Sequence, residues 1–188
     1  MNYVFISTLM NFERPSTPRV QKPEDQKFDT VPSELSEQIL KLKQDANLEF
    51  EMKNFQAALN IYTNCLELLE QYQKSQIAST IHYNMSLCYK NLEQKDKQLQ
   101  ELYKAIDIDT RYRKARVALA NLFTDINEPV PAQIEWQNVQ EISELNESEK
   151  KKKDAADKKA LDATLQTLKG WGNKILRKFG MSLNDFKM

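Results

Sequence analysis

The amino-acid sequence predicts an all-α chain: three helical hairpins stacked into a solenoid, closed at the C-terminal end by a capping helix. Three observations predict it. From Ser33 onward apolar residues recur at steps of three and four, as in Leu35, Ile39, Leu42, Ala46 and Phe50, the spacing of one helix face. No stretch alternates apolar and polar residues with the period of two that a half-buried strand requires. The chain also resembles itself at offsets of 40 and 34 residues. Ala58, Gln98 and Ala132 share one column, Tyr62, Leu102 and Trp136 a second, and Cys65, Ala105 and Val139 a third. Twelve residues before the first column stand the small residues Ala46, Ser86 and Ala120, with Tyr89 and Phe123 in an aromatic column three further on. Small residues let two antiparallel helices approach closely, and aromatics fill the space to the next hairpin.

Each element follows in order. Residues 1–33 carry Pro15, Pro18, Pro23 and Pro32 among polar residues, a composition that cannot bury enough apolar surface to offset ordering entropy, so they read as a disordered N-terminal tail. Within it, Met1 to Phe12 has no basic start and no small-residue cleavage site, so it reads as neither signal peptide nor anchor. Ser16-Thr17-Pro18 reads either as a proline-directed phosphorylation site or as plain tail. A capping box over Ser33-Glu34-Leu35-Ser36-Glu37 opens the first helix. Residues 34–145 hold the three repeats, about 39–72, 79–112 and 113–146, with hairpin turns near Lys53-Asn54, Glu93-Gln94 and Asn127-Glu128. The longer first interval reads as extra turns around Leu68 to Lys74 that lengthen the second helix of that hairpin. Residues 147–188 are a charged capping helix and C-terminal tail. Its Leu161, Leu165, Leu168, Trp171, Ile175 and Phe179 recur at three or four and are expected to cover the last hairpin.

Composition removes several function classes. All three glycines, Gly170, Gly172 and Gly180, lie in the last nineteen residues, so the preceding chain holds no phosphate-binding glycine loop. One histidine, His82, and two cysteines, Cys65 and Cys88, supply no zinc cluster and little material for a nucleophile with its base. The expectation is therefore no enzyme, no catalytic residue, no metal and no cofactor. The two dispersed cysteines read as small core residues in a reducing compartment, so a cytoplasmic location is expected. Lys plus Arg and Asp plus Glu both count 27, which gives no general attraction to nucleic acid or to an anionic membrane. Locally the ends differ: residues 146–188 hold 11 basic and 6 acidic side chains, and residues 34–70 hold 3 and 7. The basic helix could lie on a membrane surface, but capping needs its apolar stripe and is preferred.

An offset of 34 residues with small, aromatic, small, aromatic, small positions is the tetratricopeptide repeat (TPR) pattern. Glu49 in an aromatic column and Gln98 in a small one depart from it. Leu42-Lys43-Gln44-Asp45-Ala46-Asn47, followed by Asn54-Phe55-Gln56-Ala57-Ala58, resembles the first repeat of chaperone-binding TPR domains. The ending Leu168 to Phe186, with its Gly170-Trp171-Gly172-Asn173 and Arg177-Lys178-Phe179-Gly180, resembles the segment after the third repeat in one branch of that family. The resemblance implies a groove that holds the acidic C-terminal tail of a heat-shock chaperone by a carboxylate clamp. It places the clamp donors on Lys43, Asn47, Asn84 and Lys114, and it places Ala118 where the family has an arginine.

The chemistry fits those positions. Lys43 and Asn47 are four apart and share a helix face. Lysine and asparagine both donate hydrogen bonds, as a terminal and a side-chain carboxylate require. Phe50, one turn beyond Asn47, is expected to line the groove for an apolar side chain of the peptide. Arg116 cannot stand in for the missing arginine, because it lies on nearly the opposite face. The resemblance thus implies a co-chaperone-like adaptor with a protein partner, most naturally a chaperone C-terminal peptide. The alternative is a scaffold or assembly subunit that binds a partner unrelated to chaperones through the same solenoid.

Overall fold

The structure is a computed structural model that describes residues 17–178, with side chains through residue 170. The expectations for Met1 to Phe12, for Ser16 and for most of the ending Leu168 to Phe186 lie outside the described residues. Among the described residues seven α-helices follow one another: α1 (Ser33–Glu51), α2 (Phe55–Leu68), α3 (Gln76–Asn91), α4 (Lys95–Ile108), α5 (Arg113–Asp125), α6 (Pro129–Ile142) and α7 (Glu147–Lys178). A single 3₁₀ turn, Pro23–Asp25, precedes them, and no strand occurs among the described residues. Helices α1 and α2, α3 and α4, and α5 and α6 pair as three hairpins, and α7 packs on α6.

The three turns fall where the sequence predicts them and share one device. Lys53, Glu93 and Asn127 take positive φ angles of 65, 57 and 58°. The next amide then reaches back: Asn54 to the Glu49 carbonyl, Gln94 to Tyr89 and Glu128 to Phe123, at 2.8, 2.9 and 2.8 Å. This is the Schellman ending, which normally uses glycine. A side chain in this conformation costs roughly 1–2 kcal/mol, and packing of the hairpins offsets it.

That packing follows the repeat columns. Ala58, Ala132, Tyr62, Leu102, Trp136, Cys65, Ala105 and Val139 are all buried, as are Ala46, Ser86 and Ala120. Gln98, the outlier of the small column, is buried with them. One core cluster gathers around Tyr62 and Ile81, the other around Trp136 and Phe123. Burial pushes the Cys65 and Cys88 thiols up to about 11, consistent with packing rather than reactivity.

Four expectations need correction. Helix α1 begins at Ser33 itself with Pro32 as its N-cap and no side-chain cap, because proline leaves no amide to satisfy and fixes the entry φ. The six extra residues of the first interval do not lengthen α2. Helices α2, α4 and α6 are each 14 residues long, and the surplus forms successive turns from Leu69 to Ser75, anchored by the buried Leu69 side chain.

The third correction concerns the segment expected as a tail. Residues 17–32 lie against the repeats as a strap. The Gln21 amide donates to Thr110 Oγ1 at 3.0 Å, and Gln26 Nε2 donates to Asp109 Oδ1 at 2.6 Å. Asp29 and Lys74 exchange two bonds, the Asp29 amide to the Lys74 carbonyl and the Lys74 amide to Asp29 Oδ2. Arg116 completes the strap's attachment. Its guanidinium is fully buried, pairs with the equally buried Glu135 at 2.9 Å, and donates at 2.6 Å to both the Thr110 and Pro18 carbonyls. The strap thus covers a buried charge and connects the turns between successive hairpins. Deleting residues 1–28 is expected to remove the bonds of Pro18, Gln21 and Gln26, at about 1 kcal/mol each, and to lower the melting temperature by several degrees in a calorimetric scan. An unchanged melting temperature would show that the strap contributes nothing to stability.

Helix α7 supplies the fourth correction. It packs through Ala156 and Ala160, both buried, while Leu161, Leu165 and Leu168 are 59, 43 and 56% exposed. Close approach to α6 favours the alanine face, and the leucine stripe is left outward.

Candidate functional site

Hydrogen bonds and ring contacts tie the first helices of the hairpins together. Asn84 of α3 reaches Asn47 of α1, the Tyr83 ring of α3 meets Tyr112 before α5 edge-on at 5.3 Å, and α7 bonds back to α5. The clamp positions lie along this row.

Asn47 and Asn84 are brought together around a residue that the sequence reading left in the core. Tyr62 of α2 donates its hydroxyl proton to Asn47 Oδ1 at 2.5 Å, and Asn84 Nδ2 points to Tyr62 Oη at 3.3 Å and to Asn47 Oδ1 at 3.4 Å. Burial, with lesser contributions from Cys88 and Cys65, raises the Tyr62 hydroxyl to about 12, so it remains a donor at neutral pH. With its oxygen held by Tyr62, Asn47 keeps its amide NH2 without a partner among the described residues. The two long bonds of Asn84 hold its NH2 loosely, so a carboxylate can take over one of them.

Lys43 is half-buried one turn before Asn47, and its charge is felt at Cys65, where it opposes the upward push of burial on the thiol. Lys114 is exposed near the start of α5. Neither has an ion-pair partner among the described residues, whereas Lys104, Lys150 and Lys153 do. Ala118 is half-buried against the core and leaves its place on α5 without charge. Phe50 packs edge-to-face on Phe55 at 5.3 Å and closes the corner of the first hairpin.

A further cation stands beside this row. Lys152 of α7 donates at 2.9 Å to Asn121 Oδ1, and Asn121 lies three residues after Ala118 on α5, which puts the two Cβ atoms about 5–6 Å apart. Glu149 positions that end of α7. It accepts from Arg113 at 2.6 Å, and this bond holds its carboxyl below the usual range. Nothing in the spacing of the repeats points to Lys152, because its position depends on how α7 returns to α5.

The single histidine belongs to a hydrogen-bonded cluster away from this row. His82 Nδ1 lies 2.6 Å from Glu101 Oε2, and Lys104 donates to Glu101 Oε1 at 2.7 Å. Burial works against ionisation of Glu101, but these two bonds outweigh it and hold the carboxyl below its usual value. Among the described residues no three His, Cys, Asp or Glu side chains stand together as a metal site, and no helix is long and apolar enough to cross a membrane.

No protein-family model and no curated protein matches the sequence. Solved structures do match the fold. The first TPR domain of Spaghetti (RPAP3), bound to the HSP90 peptide SRMEEVD, superposes with a TM-score of 0.58 at 17% identity, over 68% of this chain and 98% of that one. The Sgt2 TPR domain from Aspergillus fumigatus gives 0.55 at 20% identity, over 78 and 87%. The second TPR domain of human RPAP3, in complex with the HSP70 peptide SGPTIEEVD, gives 0.55 at 15% identity, over 65 and 98%.

Proposed function

On the tetratricopeptide-repeat solenoid that this chain adopts, we propose a cytoplasmic, non-enzymatic adaptor whose groove holds the C-terminal carboxylate of an acidic peptide, of the kind that ends a heat-shock chaperone. One observation carries the reading. Lys43 on α1 and Lys114 on α5, without ion-pair partners among the described residues, share the row of first helices with a hydrogen-bonded pair of amides, Asn47 on α1 and Asn84 on α3. The Tyr62 hydroxyl fixes the amide oxygen of Asn47 and so directs a donor outward. Such an arrangement suits a carboxylate and is poor for a cation or an apolar helix. The peptides bound by two structurally similar domains end in Glu-Glu-Val-Asp, which supports the choice of ligand.

In this reading Lys152 offsets the alanine at position 118. Its ammonium, held by Asn121, supplies positive charge beside the vacant position as a point charge rather than a bidentate fork. Lys152→Ala is expected to weaken binding of an Glu-Glu-Val-Asp peptide about tenfold, near 1.4 kcal/mol, with Lys151→Ala close to wild type in the same fluorescence titration. Equal effects of the two substitutions would assign Lys152 to long-range charge alone.

Ala118 is also the observation that favours the second reading, a scaffold for a non-chaperone protein. A pull-down from lysate separates them: wild type is expected to retain heat-shock chaperones that Lys43→Glu loses. Retention of the same non-chaperone partners by both baits would favour the scaffold.

A further inference from the structure

Among the described residues, two apolar stripes are left exposed at opposite ends of the solenoid. On α1, Leu40, Leu48 and Met52 are 41, 55 and 59% exposed. Leu48 and Met52 form the stripe, on the face opposite the buried Ile39 and Ala46 and away from Lys43 and Asn47, whereas Leu40, three residues before Lys43 and seven before Asn47, lies on their face. Among the described residues no α-helix precedes α1 in the stack. On α7, Leu161, Leu165 and Leu168 form the second stripe, turned away from the buried Ala156 and Ala160. Contiguous exposed apolar residues of this kind mark interaction sites.

The charges around the stripes are opposite. Helix α1 carries five acidic residues against two lysines, with Glu37 and Glu51 exposed beside its stripe. Residues 150–169 of α7 carry seven lysines against three aspartates, with Lys158 and Lys169 exposed beside theirs. An anionic membrane would suit the basic helix but repel the acidic one. A second copy of this chain suits both.

We propose that the chain associates head to tail, the α7 stripe of one copy lying on the α1 stripe of the next. The contact is heterologous, so each bound copy leaves one stripe free at either end and further copies can add. Two helix stripes bury less than the ~800 Å² per partner of a standard interface, so association is weak and depends on concentration and salt.

Sedimentation of the full chain at concentrations from ~5 to ~500 μM covers the range of a weak contact. The mass-average should climb past that of a dimer at low salt and fall back at high salt. Leu48→Glu and Leu165→Glu change exposed positions and should leave the melting curve intact while making each protein monomeric. Mixed one to one, they should form a dimer and nothing larger, because each retains the stripe that the other lacks. A wild type that stays monomeric throughout overturns the proposal. So does a Leu48→Glu variant that still self-associates, which would show α7 pairing with α7, and so does α7-dependent binding to anionic vesicles by a protein that remains monomeric.

Discussion

Glu135→Ala is expected to cost about 3–5 kcal/mol, because it leaves the Arg116 guanidinium buried and unpaired. For a chain of this size that lowers the melting temperature by roughly 6–20 °C. The effect should reach the strap, since Arg116 Nη2 donates to the Pro18 carbonyl, and amide exchange of residues 19–26 should rise with it. Replacing both partners by apolar residues of similar volume, Arg116→Met with Glu135→Leu, is expected to recover much of the loss, because no buried charge is then left alone. Asn138, which donates to Glu135 Oε1 at 3.1 Å and is half-buried, should cost far less when changed to Ala. A single Glu135→Ala variant as stable as wild type would remove the ion pair from any structural role.

The second large effect is on binding. Lys43→Glu replaces an unneutralised cation with a like charge for the peptide carboxylate and is expected to abolish binding. Ala118→Arg adds a bidentate donor, worth about 1.5–3 kcal/mol for one charge-assisted bond, or ten- to a hundredfold. Lys152 lies close enough to repel the new guanidinium, so the gain should be larger in the Lys152→Ala background than in wild type. Isothermal titration of one acidic peptide against the four proteins gives the coupling directly.

The parts of the fold that were legible are those written in side-chain type at fixed spacing. The columns of Ala46, Ser86 and Ala120 and of Tyr62, Leu102 and Trp136 are buried as their types require. The turns at Lys53, Glu93 and Asn127 were found from column spacing alone, with no glycine to mark them. The strap was not legible, because its attachment runs through backbone groups of Pro18, Gln21 and Asp29 and through one buried arginine that reads as a surface residue. Helix α7 was legible as a helix but not in its orientation. Its alanine face and its leucine face are both periodic, and only close packing on α6 selects the alanines. At the site, Lys43, Asn47, Asn84 and Lys114 could be named from their positions in the repeat. Tyr62, which orients Asn47, and Lys152, which stands beside Ala118, depend on contacts between helices distant in sequence.

The most direct measurement compares two forms of one peptide ending in Glu-Glu-Val-Asp, free acid and C-terminal amide, titrated into the wild-type chain at low and moderate salt. Capture of a terminal carboxylate by Asn47, Asn84 and Lys43 predicts that the acid binds at least tenfold more tightly than the amide and that its affinity falls as salt rises. Equal binding of acid and amide, or binding of neither, would contradict the clamp and leave the scaffold reading in its place.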